Sequence, residues 1–247
     1  MAGHSKWANI KHRKGAQDAK RGKIFTKMIK EITVAAREGG GEPDTNPRLR
    51  LAIQNAKGVN MPKDNIERAI KKATGEGGAV YTEPTYEGYG PHGVAVYVET
   101  ATDNTNRTVS NVRSYFSKYG GSLGTSGSLD FIFDRKGIFS FKAPEDFDQD
   151  EFELEIIDAG VEEIEIEDGY VTITCEMTDF GNVNKALEEM GIEAENAELS
   201  RIPKTSVSVD DEQFVQLAKL INALEDDDDV QKVFHNIELT EGQMEQL

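Results

Sequence analysis

The chain has 247 residues, 37% hydrophobic and 30% charged, with 45 acids against 28 bases for a formal net charge of −17. That length can build one large domain or two to three small ones, each with its own buried core. No apolar run reaches the roughly 18–20 residues that span a bilayer. The single Cys175 excludes an internal disulfide framework and fits a reducing cytoplasm.

Charge is divided unevenly. Residues 1–76 hold 17 basic and 8 acidic side chains, whereas 77–247 hold 11 and 37. Halves of opposite sign predict a nucleic-acid-binding head on an acidic body. The first thirty residues carry nine Lys or Arg and one acid, Asp18, with no apolar segment of a secretory signal. Gly, Asn and Trp in GHSKWANIKHRKG break the amphipathic helix that a mitochondrial presequence would need.

The first helix is predicted over Gln17 to Glu38, where Ile24, Phe25, Met28, Ile29, Ile32, Ala35 and Ala36 share an arc of about 140°. Lys20, Lys23, Lys27, Lys30 and Arg37 gather opposite, as a lysine stripe. GGGEPDTN (39–46) ends this helix, and Asn46-Pro47 reads as N-cap and first residue of a second, to about Lys57. A third begins near Pro62 and buries Ile66, Ala69, Ile70 and Ala73. From Tyr81 the period shortens. Strands are expected at 93–101 and 129–134 around a helix at 104–120. The pattern strand 137–142, helix 148–159, strands 161–167 and 170–177, helix 180–190 and extended 192–202 is βαββαβ, the ferredoxin-like unit. Residues 206–239 repeat strand, helix, strand. The fold class is therefore α+β: an N-terminal three-helix domain (1–78) and two ferredoxin-like domains, one (135–202) inserted in the other (79–134 plus 203–247).

The basic element comprises Lys6, Lys11, Arg13, Lys14, Lys20, Arg21, Lys23 and Lys27, with Trp7 able to stack on an exposed base or to pin the segment to the helical core. If six to eight of these cations met phosphates, log K would fall with log salt at a slope of roughly −5 to −7. The plain alternative is a solvated helix face. The helix pair around KGVNMPKDN (57–65) resembles a helix-turn-helix only weakly, since the third helix offers Lys63, Arg68, Lys71 and Lys72 and few base-reading side chains. In TDNTNRT (102–108) an Asn or Thr N-cap explains most residues and leaves Arg107 over, a candidate with Asn60, Met61, Pro62 and Lys63 for contact with nucleic acid or the ribosome. YEGYGPHG (86–93) reads as a loop feeding a strand, and EDDDD (225–229) as a solvated acidic loop. Catalytic signals are thin. His4, His12, His92, His235 and Cys175 lack metal-ligand spacing, and the Gly-rich runs lack the Gly-Lys-Ser/Thr of a phosphate loop. No enzyme activity, cofactor or metal is expected.

AGHSKWANIKHRKGAQDAKRGKIFTK, NPRLRLAIQNAKGVNMPKDNIERAIKKA, YEGYGP and TDNTNRTVSNVRS closely resemble the YebC/PmpR family over nearly the whole chain. The resemblance implies three domains and a transcriptional regulator that binds DNA. Other members resemble translational activators that act on the ribosome at consecutive prolines. Carried over by position, the family's basic motif falls on Lys6, Lys11, Arg13, Lys14, Lys20, Arg21 and Lys23, and its Asn-Met-Pro loop on Asn60, Met61 and Pro62, beside Lys63. Nucleic acid, as DNA or ribosomal RNA, is the implied partner, with the ribosome or transcription machinery behind it, and no membrane. One departure stands out. The family's YGPGG is Tyr89-Gly90-Pro91-His92-Gly93 here, which weakens the case for a turn that only Gly can make.

Overall fold

The computed structural model describes residues 17–75, 78–144 and 147–244, and the side chains of all of these but 17–21, 241 and 244. Three helices come first: α1 (Gln17–Gly39), α2 (Pro47–Gly58) and α3 (Lys63–Thr74). Their apolar edges meet in one core of Ile32, Ala35, Ala36, Leu49, Ala52, Ala56, Met61, Ile66, Ala69 and Ala73. Alanine dominates these edges, which lets the helices approach closely. Asn46 joins two of them. Its carbonyl oxygen caps α2 by accepting from the Leu49 amide at 3.0 Å, while its Nδ2 donates to the carbonyls of Ala35 (2.7 Å) and Gly40 (2.8 Å) at the end of α1.

The next elements are β1 (Thr85–Tyr89), β2 (Ala95–Thr100), α4 (Thr105–Lys118) and β3 (Ser122–Leu123). After them come β4 (Phe133–Lys142), α5 (Gln149–Ile156), β5 (Val161–Glu167), β6 (Tyr170–Glu176), α6 (Phe180–Glu189) and β7 (Asn196–Pro203). The chain closes with β8 (Val207–Ser208), α7 (Asp211–Glu225), β9 (Val230–His235), β10 (Ile237–Glu238) and α8 (Glu241–Met244). One antiparallel sheet has the order β5-β6-β4-β7, the ferredoxin-like order, with α5 and α6 over a core that includes Phe139, Phe141, Phe152 and Ile173. The other has the order β3-β1-β2-β9, so its strands come from both sides of the intervening segment. Its core joins Val96, Val98, Phe116, Phe214, Leu217 and Leu220, the last three on α7. The molecule is thus α+β, three helices followed by two sheet-and-helix units.

Two segments differ from expectation. YEGYGPHG is a strand and then a tight turn: β1 pairs with β2 along its whole length, and Gly88 is needed because a Cβ there would meet Phe116 and the Ser122 carbonyl. The expected strand at 129–134 is mostly turn. The buried Glu87 carboxylate accepts from the amides of Gly127 and Leu129, both at 2.7 Å, and holds this stretch folded until β4 starts at Phe133. Leu129, Ile132 and Phe133 are buried by that turn, while Phe131 is exposed; the apolar spacing belongs to a loop packed on a sheet.

At the departure from the family pattern, His92 itself takes the left-handed conformation (φ 62°, ψ 19°), its Nε2 3.1 Å from Gln216 Oε1. That conformation costs a non-glycine residue about 1–2 kcal/mol, partly offset by the extra unfolded-state freedom of Gly. His92→Gly is therefore expected to stabilise the fold by about 0.5–1 kcal/mol, read as a shift in urea midpoint. A second expectation concerns His235, at the end of β9, where burial pulls the imidazole pKa down to about 4. The folded value lies below the unfolded one of about 6.5, so the histidine's contribution is intact above pH ~6.5 and is lost as pH falls toward 4. The slope approaches about 1.4 kcal/mol per pH unit. His235→Gln should flatten the stability profile between about pH 5 and 6.5.

Candidate nucleic-acid interface

Lys6, Trp7, Lys11, Arg13 and Lys14 lie outside the described residues, and Lys20 and Arg21 are placed by backbone only, in the first turns of α1. The remaining members of the lysine stripe are not bare. Lys23 Nζ donates to Asp226 Oδ1 at 2.7 Å, and Lys27 Nζ to the Glu225 carbonyl at 3.0 Å. Lys30 Nζ reaches Asp229 Oδ1 (3.0 Å) and the carbonyls of Asp228 (2.6 Å) and Ala101 (3.0 Å). Lys23, Lys27 and Lys30 sit at i, i+4 and i+7, on one face of α1. That face lies against the C-terminal end of α7, where carbonyls lack helical partners and the helix dipole is negative.

The acidic run at 225–229 is therefore not a solvated loop. Asp226 and Asp228 are exposed, but Asp227 and Asp229 are buried. Asp227 Oδ2 accepts from Asn111 Nδ2 and the Tyr115 hydroxyl, each at 3.0 Å. Burial, followed by this carboxylate, pushes the Tyr115 phenol up to about 12. Asp229 accepts from Arg107 (2.6 Å), Thr108 (2.9 Å) and Lys30. Burial opposes ionisation of Asp229, yet hydrogen bonds from Arg107, Lys30 and Thr108 outweigh it and hold the pKa below the ordinary range. Arg107, Asn111 and Tyr115 recur at i, i+4 and i+8 along α4, a polar stripe that could have signalled a buried anionic partner.

The other candidates part company. Met61 is buried in the helical core and presents no contact surface. Asn60 (φ 58°), Pro62 and Lys63 are exposed at the junction of α2 and α3. Arg107 is occupied by Asp229 and Asp103. On α3, Arg68, Lys71 and Lys72 are exposed, without an ion-pair partner among the described residues. Arg50 of α2 is likewise exposed and unpaired among them, whereas Arg48 grips Glu83 through Nη2 at 2.6 and 2.8 Å.

A crevice of about 1380 Å³ opens where the three units meet. Several of its carboxylates hold cations: Glu198 binds Lys232 at 2.6 Å, and Glu99 binds Arg201 at 3.3 Å. Glu31 also lines it, and burial raises its pKa. The helical unit is fastened across this crevice by Asn55, which donates to the Ala197 carbonyl and accepts from its amide, both at 2.9 Å. Gly58 allows the approach, since a Cβ there would lie 1.8 Å from the Glu195 carbonyl oxygen. Cys175 is buried, and its thiol is pushed up to about 11, chiefly by burial. Among the described residues no three His, Cys, Asp or Glu are grouped to hold a metal ion, and no helix is long and apolar enough to cross a membrane. Removing Asp229 would strand the buried Lys30 ammonium, a change that usually costs about 3–5 kcal/mol. Asp229→Ala is therefore expected to lower stability by about 3 kcal/mol, and Asp226→Ala, at an exposed pair, by less than about 1 kcal/mol, both by chemical denaturation.

The same chain matches two family models, one after the other. Residues 5–76 match the TACO1/YebC protein N-terminal domain, and residues 81–237 match the TACO1/YebC second and third domain. A protein of Syntrophotalea carbinolica is 56% identical over 248 residues, covering 100% of this chain and 99% of its own. One from Amoebophilus asiaticus is 55% identical over 96% of this chain and 98% of its own. Both bear the name "Probable transcriptional regulatory protein". A solved structure of a conserved hypothetical protein from Aquifex aeolicus is 45% identical, with a TM-score of 0.80, over 91% of this chain and 93% of that one. With both family models matched in order and relatives similar along their full length, the chain belongs to the TACO1/YebC family.

Proposed function

We propose that this protein is a non-enzymatic, cytoplasmic regulator of gene expression that binds nucleic acid through its helical domain, residues 1–78. The units formed by 79–134 with 203–247, and by 135–202, carry the acidic charge and turn away from a phosphate chain. The observation that carries this reading is the division of charge, 17 bases to 8 acids before residue 77 and 11 to 37 after it. Pairing sharpens it. Lys23, Lys27 and Lys30 have partners on the acidic turn, while Arg50, Arg68, Lys71 and Lys72 face solvent. The name carried by the relatives in Syntrophotalea and Amoebophilus supports a role in transcription regulation.

DNA is the first reading, with phosphates held by Lys6, Lys11, Arg13, Lys14, Lys20 and Arg21, and Trp7 stacked where a base is exposed. The side-chain set of α3 favours a second. Its exposed positions are Lys63, Asp64, Glu67, Arg68, Lys71, Lys72 and Thr74, and Thr74 is spent on the Ile70 carbonyl. Such a face grips phosphates better than it reads base edges, which suits ribosomal RNA and a role as a translation factor on the ribosome.

The test is salt-dependent binding of the whole protein to duplex DNA and to purified ribosomes. Wild type is expected to bind with a log–log salt slope of roughly −5 to −7, and a Lys11, Arg13, Lys14, Lys20→Ala variant with a slope shallower by about 3. Sequence-selective retention of promoter fragments supports the transcriptional reading; DNase-resistant sedimentation with large ribosomal subunits supports the translational one. Absence of attachment to either in dilute buffer overturns both.

A further inference from the structure

The oxygens that α1 meets form a short anionic row: the Glu225 carbonyl, the Asp226 carboxylate, the Asp228 carbonyl and the Asp229 carboxylate. Lysines at i, i+4 and i+7 engage this row as they would successive phosphates. The contact has two parts. Lys30 and Asp229 are almost wholly buried, with 9% and 5% of their side chains accessible, and anchor the helix. Lys23 and Asp226 are 44% and 58% accessible, and Lys27 binds a carbonyl beside them, so this end can be entered from solvent.

We propose that the turn at 225–229 is an internal competitor for nucleic acid: it occupies Lys23 and Lys27 in the free protein and is displaced when a phosphate chain takes them. This rests on the nucleic-acid reading above. Lys23 Nζ, 2.7 Å from Asp226 Oδ1, cannot give the same hydrogen bond to a phosphate, so binding at this position is an exchange. An exposed pair of this kind is worth about 0.2–1 kcal/mol, which reduces affinity by up to about fivefold. The exchange also has an ionic signature. A free lysine that meets a phosphate displaces a condensed cation from the nucleic acid. When the lysine comes from Asp226, the liberated carboxylate recruits a cation in turn, and the net release at that position approaches zero. The protein therefore binds with a shallower salt dependence than its count of phosphate contacts implies.

The test compares wild type, Asp226→Asn, Lys23→Ala and the double variant, using fluorescent duplex DNA and single-stranded RNA across a salt series. Glu155→Gln, on α5, makes the same change in net charge at an exposed carboxylate away from the contact. Asp226→Asn is expected to bind about 2–5-fold tighter than wild type and to steepen the log–log slope by about 0.7–0.9, with Glu155→Gln doing neither. In the Lys23→Ala background the gain from Asp226→Asn should be smaller than in wild type. If Asp226→Asn and Glu155→Gln bind alike, with one slope, there is no competition, although the nucleic-acid reading stands. If no variant binds either probe, that reading itself fails and the competition with it.

Discussion

A buried ion pair between Lys30 and Asp229, residues 199 apart in sequence, holds the helical unit on the rest of the molecule. A charge pair removed from water is stable only when its remaining hydrogen-bonding capacity is filled. Here it is filled from three sides: Lys30 also donates to the carbonyls of Ala101 and Asp228, and Asp229 also accepts from Arg107 and Thr108. Four segments, α1, the residue after β2, α4 and the turn after α7, are thus joined at one ion pair. The exposed contacts of Lys23 and Lys27 lie on the same face of α1, beside this anchor.

The same arrangement resolves an apparent conflict in a chain with a basic head and a strongly acidic body. Attraction between them is unavoidable, and the fold gives it a fixed address. Part of the lysine stripe is committed to that address, while Arg50, Arg68, Lys71 and Lys72 stay exposed. Docking on the other side depends on shape more than on charge: Asn55 extends the edge of β7 by two hydrogen bonds, and Gly58 has no side chain to keep the backbones apart.

Much of this was legible before any coordinates. The bounds of α1, α2 and α3 followed from apolar spacing, from Asn46-Pro47 and from the glycines that end α1, because local chemistry decides helix ends. The inserted sheet was legible because in β6 Val171, Ile173 and Cys175 alternate with Thr172 and Thr174, and in β5 Ile164 and Ile166 alternate with glutamates. LDFIFD misled because its alternation is imposed by Glu87, forty residues upstream, which no local window contains. The acidic run misled for a related reason. Five consecutive carboxylates look solvated, yet turn geometry aims Asp227 and Asp229 inward and Asp226 and Asp228 outward. Arg107 was singled out as unexplained by its N-cap surroundings, and Asp229 is the explanation.

The sheet order β3-β1-β2-β9 also bears on how the chain is made. Strand β2 is complete by residue 100, but its neighbour β9 starts at Val230, and all of β4 to β7 lies between them. During synthesis the intervening sheet can close on itself early, while β2 keeps an open edge until residues 230–235 emerge. The lysines of α1 wait equally long for Asp226 and Asp229. A nascent molecule therefore carries its basic helix beside a ribosome built of RNA without the partners that Lys23, Lys27 and Lys30 find at 225–229, until those residues emerge and neutralise part of it.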